Sequence, residues 1–386
     1  MIVVDALLGP DLDFYQDVVV KWQNGVITRA SPRRGRDDEP DALERLGVLA
    51  PGLIDAHVHL GLDGSENVVD SLRGFTHENL KTRVIANARS YLQAGITTVR
   101  DLGAPQGVVS ELVSMGIIGS PSTPRVVSAQ AISSPTGHGN FVAEHAETLT
   151  DYKQIINRLE VRNTPFIKLF ASGGVITQGT SPAGTQMSRE LLIQVTQFAH
   201  ESGFRVAAHA HSKASIINCL DAEVDTIEHF SYLDEHLVDR VSQSSSFLVS
   251  TYVATHRFCS SSDRERAEPE ALQKIIDHEA FERAALATAA QIPGKVIGGS
   301  DSGTILNPHP RALYLQQQLM SSAGFSSRDI MKSMTSRSAD ALGLATGRIE
   351  EGYLADFVLF EENPVTSVEA SKKISLVVVE GVSVLE

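Results

Sequence analysis

Residues 51–60 read PGLIDAHVHL, a short apolar run that follows a Pro-Gly pair and ends in two histidines separated by one residue. A run of this length, bounded by proline and glycine, is typical of a buried β-strand. Side chains along a strand alternate between its two faces, so His57 and His59 are predicted to point to the same side. Two imidazoles on one face can bind one metal ion, so this run predicts both a strand and a candidate site.

Seven further apolar runs follow, separated by helix-length amphipathic segments. Two of these segments are residues 78–95 and residues 188–203, the second with a predicted cap at Ser188 and an end near Gly203. Strands that alternate with helices predict an α/β fold with a parallel sheet, and eight repeats predict a closed (β/α)8 TIM barrel. The eight runs are LIDAHVH (53–59), ITTVRDL (96–102), RVVSAQAI (125–132), FIKLFAS (166–172), RVAAHAH (205–211), DTIEHF (225–230), SFLVSTYV (246–253) and KVIGGSD (295–301).

Both ends of the chain carry strand patterns outside these eight runs. The first end reads IVVDALL, DVVVKW and VITRA, with a Gln23-Asn24-Gly25 hairpin signal, and the last end reads ADFVLF and ISLVVVEGVSVLE. Neither end is long enough to bury a core alone, so we predict that they pair into one small β-sandwich domain. The predicted division is a sandwich at 1–50 and 349–386, a barrel at 51–348, an exposed loop at 31–44 and two helical segments at 312–324 and 327–343.

Composition excludes several classes of partner. The chain of 386 residues has 47 acidic and 33 basic residues and a net charge of −14, which argues against binding to nucleic acid. No stretch approaches the ~20 apolar residues that cross a bilayer, and the first residues lack the features of a signal peptide, so we expect a cytoplasmic protein. Cys219 and Cys259 are isolated, which excludes a disulfide framework and a metal cluster of the CxxC kind.

Polar residues near the carboxyl ends of the predicted strands, together with Lys168 near the middle of its run, form a candidate metal centre, because these ends carry the active site in (β/α)8 barrels. Imidazoles and a carboxylate suit Zn²⁺ or a similar divalent ion. A protonated lysine would repel cations, so Lys168 fits only if it is neutral or carries carbon dioxide as a carbamate, whose two oxygens could bridge two metals. The predicted ligands are His57, His59, Lys168, His209, His229 and Asp301.

Four further residues are candidates for contact with substrate. His211 shares a strand face with His209 and could be a ligand instead, but we assign the first of the pair to metal and the second to substrate. His138 lies in a Gly-rich loop after the third run, where it could reach the pocket or be solvated. Tyr232 follows the sixth run and Tyr252 lies within the seventh; either could donate to an oxyanion or simply pack. The other histidines, among them His77, His145, His200, His236, His256 and His278, are predicted to be surface residues.

The motifs PGLIDAHVHL, FIKLFASGGV, VAAHAHS, IEHF and GGSDSG resemble those of the amidohydrolase superfamily in its two-metal form, and the tail GRIEEGYLADFVLF resembles that family's return from barrel to sandwich. The lysine followed by Gly-Gly, the His-Ala-His and the TGHG loop are most similar to prolidase-like dipeptidases and the ochratoxinase-related group. Imidazolonepropionase is similar in outline but lacks the bridging lysine. The resemblance implies a more buried metal on His57, His59 and Asp301, a more exposed one on His209 and His229, and carboxylated Lys168 as the bridge.

The resemblance further implies hydrolysis of a peptide-type amide bond, in an Xaa-Pro-like dipeptide or an N-acyl amino acid. A hydroxide shared by two Zn²⁺ ions would attack the carbonyl, and Asp301 would be the catalytic base and acid that passes its proton to the leaving amine. Fold and ligands alone leave open a lactone, carbamate, cyclic amide or phosphotriester substrate, or a non-catalytic binding relative. The expected partners are a small-molecule substrate and further copies of the chain in a homo-oligomer.

Overall fold

The fold is given by a computed structural model, in which residues 1–33, 43–72, 74–119 and 121–385 are described. Residues 34–42, most of the predicted loop at 31–44, lie outside the described residues, and the described flanks at 31–32 and 43–44 are strand instead of loop. The strands are β1 (Ile2–Leu8), β2 (Phe14–Gln23), β3 (Val26–Pro32), β4 (Leu43–Pro51), β5 (Leu53–Val58), β6 (Ile96–Asp101), β7 (Arg125–Ser133), β8 (Glu144–His145), β9 (Phe166–Phe170), β10 (Arg205–Ala210), β11 (Thr226–His229), β12 (Phe247–Ser250), β13 (Val296–Gly298), β14 (Phe357–Phe360), β15 (Ile374–Val379) and β16 (Val382–Leu385).

Eight parallel strands form the predicted barrel, and each coincides with one of the eight apolar runs, although β7 continues one residue past its run to Ser133. Their order is β5-β6-β7-β9-β10-β11-β12-β13, and β8 pairs with β7 beside this path. The two end strands meet where Val58 bridges Ser302 and where the Asp301 amide donates to the His57 carbonyl at 2.8 Å. The strands are buried on both faces because helices cover the outside of the barrel. This architecture confirms the predicted (β/α)8 fold.

Helices connect and cover the barrel strands. Ser188 caps α4 through its side chain as predicted, and the predicted segment 327–343 is two helices, because the backbone leaves the helical region at Met334 and Thr335. Among the described residues, no helix is both long and apolar enough to cross a membrane. The helices are α1 (His77–Ser90), α2 (Val108–Ser114), α3 (Leu149–Asn157), α4 (Arg189–Glu201), α5 (Lys213–Asp221), α6 (Glu235–Gln243), α7 (Tyr252–Ser260), α8 (Pro269–Ala289), α9 (Ala312–Ser322), α10 (Ser327–Ser333) and α11 (Ser336–Leu342).

The two chain ends pair in a second, seven-stranded mixed sheet, with the order β16-β15-β14-β4-β1-β2-β3. The Trp22 ring on β2 lies 5.2 Å from the Phe357 ring on β14. Three strand spacings separate β2 from β14, which is about 14 Å in a flat sheet. The sheet therefore folds over onto its own apolar core, and this confirms the predicted sandwich. The exact domain boundaries at residues 50 and 349 stay a prediction.

The predicted hairpin is where the sequence placed it. Gln23 pairs with Val26, and the two residues between them have positive φ angles, 51° at Asn24 and 77° at Gly25. Both central residues of a type I′ turn require φ > 0, and Asn-Gly is the pair that adopts it most readily. The local turn chemistry therefore sets the register of β2 and β3.

Candidate metal centre

Three predicted ligands from the two ends of the barrel sequence meet at its carboxyl edge. His57 Nε2 lies 3.3 Å and His59 Nε2 3.4 Å from Asp301 Oδ1. Two ligands bound at about 2.1 Å to one tetrahedral ion lie about 3.4 Å apart. The Asp301 Oδ1 atom is buried and accepts no hydrogen bond from the described residues. These three atoms therefore have both the chemistry and the spacing of a divalent metal site.

A left-handed backbone lets two neighbouring residues of β11 reach the centre. Glu228 and His229 would face opposite sides of a regular strand. Yet Glu228 Oε2 lies 2.8 Å from His57 Nδ1, and the His229 ring centroid lies 4.9 Å from that of His57. The φ angle is 71° at His229 and 42° at Phe230, which turns the chain at the strand end. Such strained residues occur at functional sites, where the surrounding structure holds them in place.

Lys168 is buried on β9 without a polar partner. It is 1% exposed, and its Nζ atom makes no hydrogen bond with the described residues. Burial lowers the pKa of Lys168 to about 8, even though Glu228 acts in the opposite direction. A larger fraction of the amine is therefore uncharged at neutral pH than in an ordinary lysine. Only an uncharged amine adds carbon dioxide, so this environment fits the predicted carbamate.

His209 and His229 lie side by side, with ring centroids 4.6 Å apart. His209 Nε2 contacts the Gly173 carbonyl at 3.1 Å, and His229 Nδ1 contacts the Thr251 hydroxyl at 2.7 Å. Their other ring nitrogens are left to bind a metal, the arrangement in which an outer partner orients a ligating imidazole. Burial lowers the pKa of both residues well below the usual value, so both rings are neutral. One ligand nitrogen of His211 lies within 4.8 Å of ligand nitrogens of both His209 and His229, so His211 stays an alternative ligand.

A buried ion pair supports the predicted ligand His57 from inside the barrel. Arg100 donates to Glu228 Oε1 at 2.9 Å, and the other oxygen of Glu228 accepts from His57 Nδ1. Burial alone would raise the pKa of Glu228, but Arg100 and His57 lower it to about 2. An ionised Glu228 holds the proton of His57 on Nδ1 and leaves Nε2 free to face Asp301. Arg100 and Glu228 were not predicted as site residues from the sequence. The available signal was that each is a charged residue inside one of the apolar runs.

The cavity above the centre brings together most of the predicted site residues. The six predicted ligands, His138 and His211 all line it, and His138 Nδ1 contacts the Thr177 hydroxyl at 2.9 Å. Tyr232 and Tyr252 are not among the described lining residues. Tyr232 packs against His278 and Phe281, while Tyr252 is the first residue of α7 instead of part of a strand and donates to Glu279. Much of the remaining lining is apolar: Leu62, Phe141, Val142, Phe170, Val175, Ile176, Ala254, Phe258, Ile275 and Ile305.

The prediction that His278 is a surface residue was wrong. His278 is 2% exposed, and it lies on α8 with its Nε2 atom 3.1 Å from His211 Nδ1. Glu282, one turn further along α8, is 5% exposed and lines the cavity. The i,i+4 spacing of these two residues on one helix face was the signal in the sequence.

Comparison with known proteins agrees with this geometry. The model of the Amidohydrolase family matches residues 48–384. The chain belongs to the amidohydrolase family. An ochratoxinase from Aspergillus niger is 27% identical over 359 residues, which cover 84% of this chain and 72% of the relative. The crystal structure of A. niger ochratoxinase superposes on this amidohydrolase with a TM-score of 0.86 and 22% identity, covering 100% of this chain and 95% of the other.

A second solved structure extends the comparison. A Xaa-Pro dipeptidase with methionine bound in its active site gives a TM-score of 0.87 at 21% identity, covering 100% of this chain and 99% of that one. The amidohydrolase is thus a hydrolase that acts on carbon–nitrogen bonds, as the sequence predicted. The family is generally metal-dependent, and the described residues contain the His and Asp groups that a metal needs.

Proposed function

We propose that this amidohydrolase cleaves a peptide-type amide bond by means of two divalent metal ions, with Zn²⁺ as the expected metal. The observation that carries the proposal is the convergence of six ligand-type side chains at one end of the barrel, three of them at the spacing of a single ion. The more buried ion would be held by His57, His59 and Asp301, the more exposed one by His209 and His229, and both by carbamylated Lys168.

Asp301 is the group of this chain that would move the proton. Burial alone would raise the pKa of Asp301, but His57 and His59 bring it below its usual value. Its carboxylate is therefore ionised at neutral pH and can accept a proton from water and return it to the leaving amine. The bound cations would supply a water of lowered pKa and would polarise the carbonyl. The neutral rings of His138 and His211 line the same cavity and are proposed to contact the substrate.

The cavity favours a substrate with an apolar group next to the scissile amide. Phe170, Phe258 and Ile275 are among its apolar lining residues, and Lys168 is the one lysine or arginine in the described lining. An Xaa-Pro-like dipeptide or an N-acyl amino acid has such a group. The similarity to an ochratoxinase and to a Xaa-Pro dipeptidase supports this class.

A substrate panel combined with metal removal tests this function. We expect Xaa-Pro dipeptides or N-acyl amino acids to give the highest kcat/KM when assayed beside a lactone, a carbamate, a cyclic amide and a phosphotriester. Dialysis against a chelator should abolish this activity, and added Zn²⁺ should restore it, because the cations supply the nucleophile. Full activity of the metal-free protein would contradict the mechanism, and a lactone or phosphotriester as best substrate would contradict the proposed bond.

Thr251→Val tests the role of His229 as a ligand. The substitution keeps the shape of the side chain but removes the hydroxyl that contacts His229 Nδ1 at 2.7 Å. We expect the affinity for one metal equivalent to fall about 10–100-fold, because outer partners orient a ligating imidazole. The measurement is metal competition with a chromophoric chelator. Thr97→Val is the matched control, since the buried Thr97 hydroxyl has no hydrogen-bond partner among the described residues. Unchanged affinity in Thr251→Val would argue that His229 does not bind metal.

A further inference from the structure

A further cluster of ligand-type side chains adjoins the proposed two-metal centre at His211. It consists of His211, His278 and Glu282, which are 4%, 2% and 5% exposed, with Ser231 beside them at 0%. His278 and Glu282 lie one turn apart on α8, so both side chains point from the same helix face. Two ligands at this spacing on one helix are a recurrent way of holding a metal ion.

The donor atoms of this cluster are close enough to share one ion. His278 Nε2 lies 3.1 Å from His211 Nδ1 and 3.8 Å from Glu282 Oε1. These two distances bracket the separation of about 3.4 Å between two ligands of a tetrahedral zinc ion. The ligand atoms of the three side chains all lie within 4.8 Å of one another. The Ser231 hydroxyl is a neighbouring oxygen, 2.6 Å from His211 Nδ1 and 3.0 Å from Glu282 Oε1.

Two buried polar atoms of the cluster have no hydrogen-bond partner among the described residues. Among the described residues, no lysine or arginine lies within ion-pair distance of Glu282. Its basic partner is His278, whose Nε2 atom lies 3.8 Å from Glu282 Oε1. Glu282 Oε2 and His278 Nδ1 are both buried and make no hydrogen bond with the described residues. A buried polar atom without a partner is costly, and a cation bound to Glu282 would remove that cost.

We propose that His211, His278 and Glu282 form a third divalent-cation site, next to the two-metal centre but distinct from it. Two imidazoles and one carboxylate are a common protein donor set for Zn²⁺. Two of the three ligands, His278 and Glu282, lie on α8 and have no role in the reaction proposed above, whereas His211 is shared with its cavity. His211 would then serve the third ion through Nδ1, the atom that faces His278 and Ser231.

Metal counting on matched variants tests the site. Each protein is purified from zinc-replete medium, and zinc per chain is measured by mass spectrometry alongside far-UV circular dichroism. We expect Glu282→Gln and His278→Gln each to hold about one equivalent less than the unaltered protein. Asp277→Asn, an exposed carboxylate on the same helix, should lose none. If His278→Gln does not fold, Glu282→Gln decides, because glutamine has nearly the shape of glutamate.

A second comparison separates this site from the two-metal centre. We expect His57→Asn with Glu282→Gln to hold about one equivalent less than His57→Asn alone, whatever becomes of the other ions. Folded Glu282→Gln and His278→Gln proteins that keep the full zinc content would overturn the proposal. Unchanged zinc together with a raised KM for substrates that carry a free ammonium group would overturn it too, and would identify the substrate as the cation that Glu282 binds.

Discussion

Lys168→Ala is expected to lower kcat/KM for the best amide substrate on the order of 10³-fold, a loss comparable to removal of a main electrostatic group from an active site. Lys168 is fully buried at the floor of the cavity, where its amine has no polar partner among the described residues. If its carbamate joins the two cations, alanine removes one ligand from each of them. The measurements are kcat/KM and metal content per chain on the same preparation, and the metal content should fall as well.

Chemical rescue separates a missing ligand from a damaged fold. A short carboxylic acid such as propionate can enter the space left by the lysine, and we expect it to restore part of the activity of Lys168→Ala. Lys373→Ala is the control, since Lys373 is an exposed residue paired with Glu362. Wild-type kcat/KM in Lys168→Ala without added carboxylate would show that the lysine is not a bridge.

Arg100→Met is expected to destabilise the protein by about 3–5 kcal/mol, the usual cost of leaving one member of a buried ion pair without its partner. Arg100 is 0% exposed and donates to the Ala56 carbonyl at 2.7 Å, to Thr226 at 2.9 Å and to Glu228 at 2.9 Å. Methionine fills similar space but removes the cationic partner of the Glu228 carboxylate, which keeps only its hydrogen bonds from His57 and Thr226. The measurement is the shift of the urea unfolding midpoint for metal-free protein.

The double variant Arg100→Met with Glu228→Gln is the informative partner, because it removes both charges at once. We expect it to recover part of the lost stability, since no unpaired buried charge remains. Arg158→Met breaks an exposed ion pair with Glu144 and should change stability by no more than about 1 kcal/mol. An unfolding midpoint of Arg100→Met equal to that of the unaltered protein would show that the ion pair contributes nothing net.

The sequence predicted the barrel and the group of ligands because both follow from local patterns. A strand such as LIDAHVH is visible from its apolar residues and its flanking turn, and parallel topology brings the carboxyl ends of strands together. His57 and Asp301 could therefore be placed at one edge, although 244 positions of sequence separate the paired Val58 and Ser302 beside them. Local patterns therefore predict where a strand lies and at which end of that strand a residue is located.

Contacts across the barrel could not be predicted from such local sequence patterns. Glu228 reaches His57 only because β11 faces β5 through the barrel interior. The left-handed backbone at His229 lets the side chains of both Glu228 and His229 point inward. Tyr252 was placed in a strand because the apolar run continues past Ser250, where the chain turns into α7. His278 was wrongly predicted to be exposed because charged residues flank it in the sequence of α8 and make the buried face of this helix difficult to recognise. Each miss concerns the direction of a side chain relative to distant elements.

The pairing of β4 with β14 has a consequence for the synthesis of this chain. β4 runs into β5 across Gly52, and its outer edge is completed by β14, whose Phe357 pairs with Pro51. A ribosome that adds 5–20 residues per second makes these partners roughly 15–60 s apart. Throughout that interval the apolar edge at residues 48–50 is an open strand, the kind of surface to which other nascent chains add. The edge of β4 is therefore covered only after β14 has been made, and chaperone capture of the growing chain should be strongest just before β14 emerges.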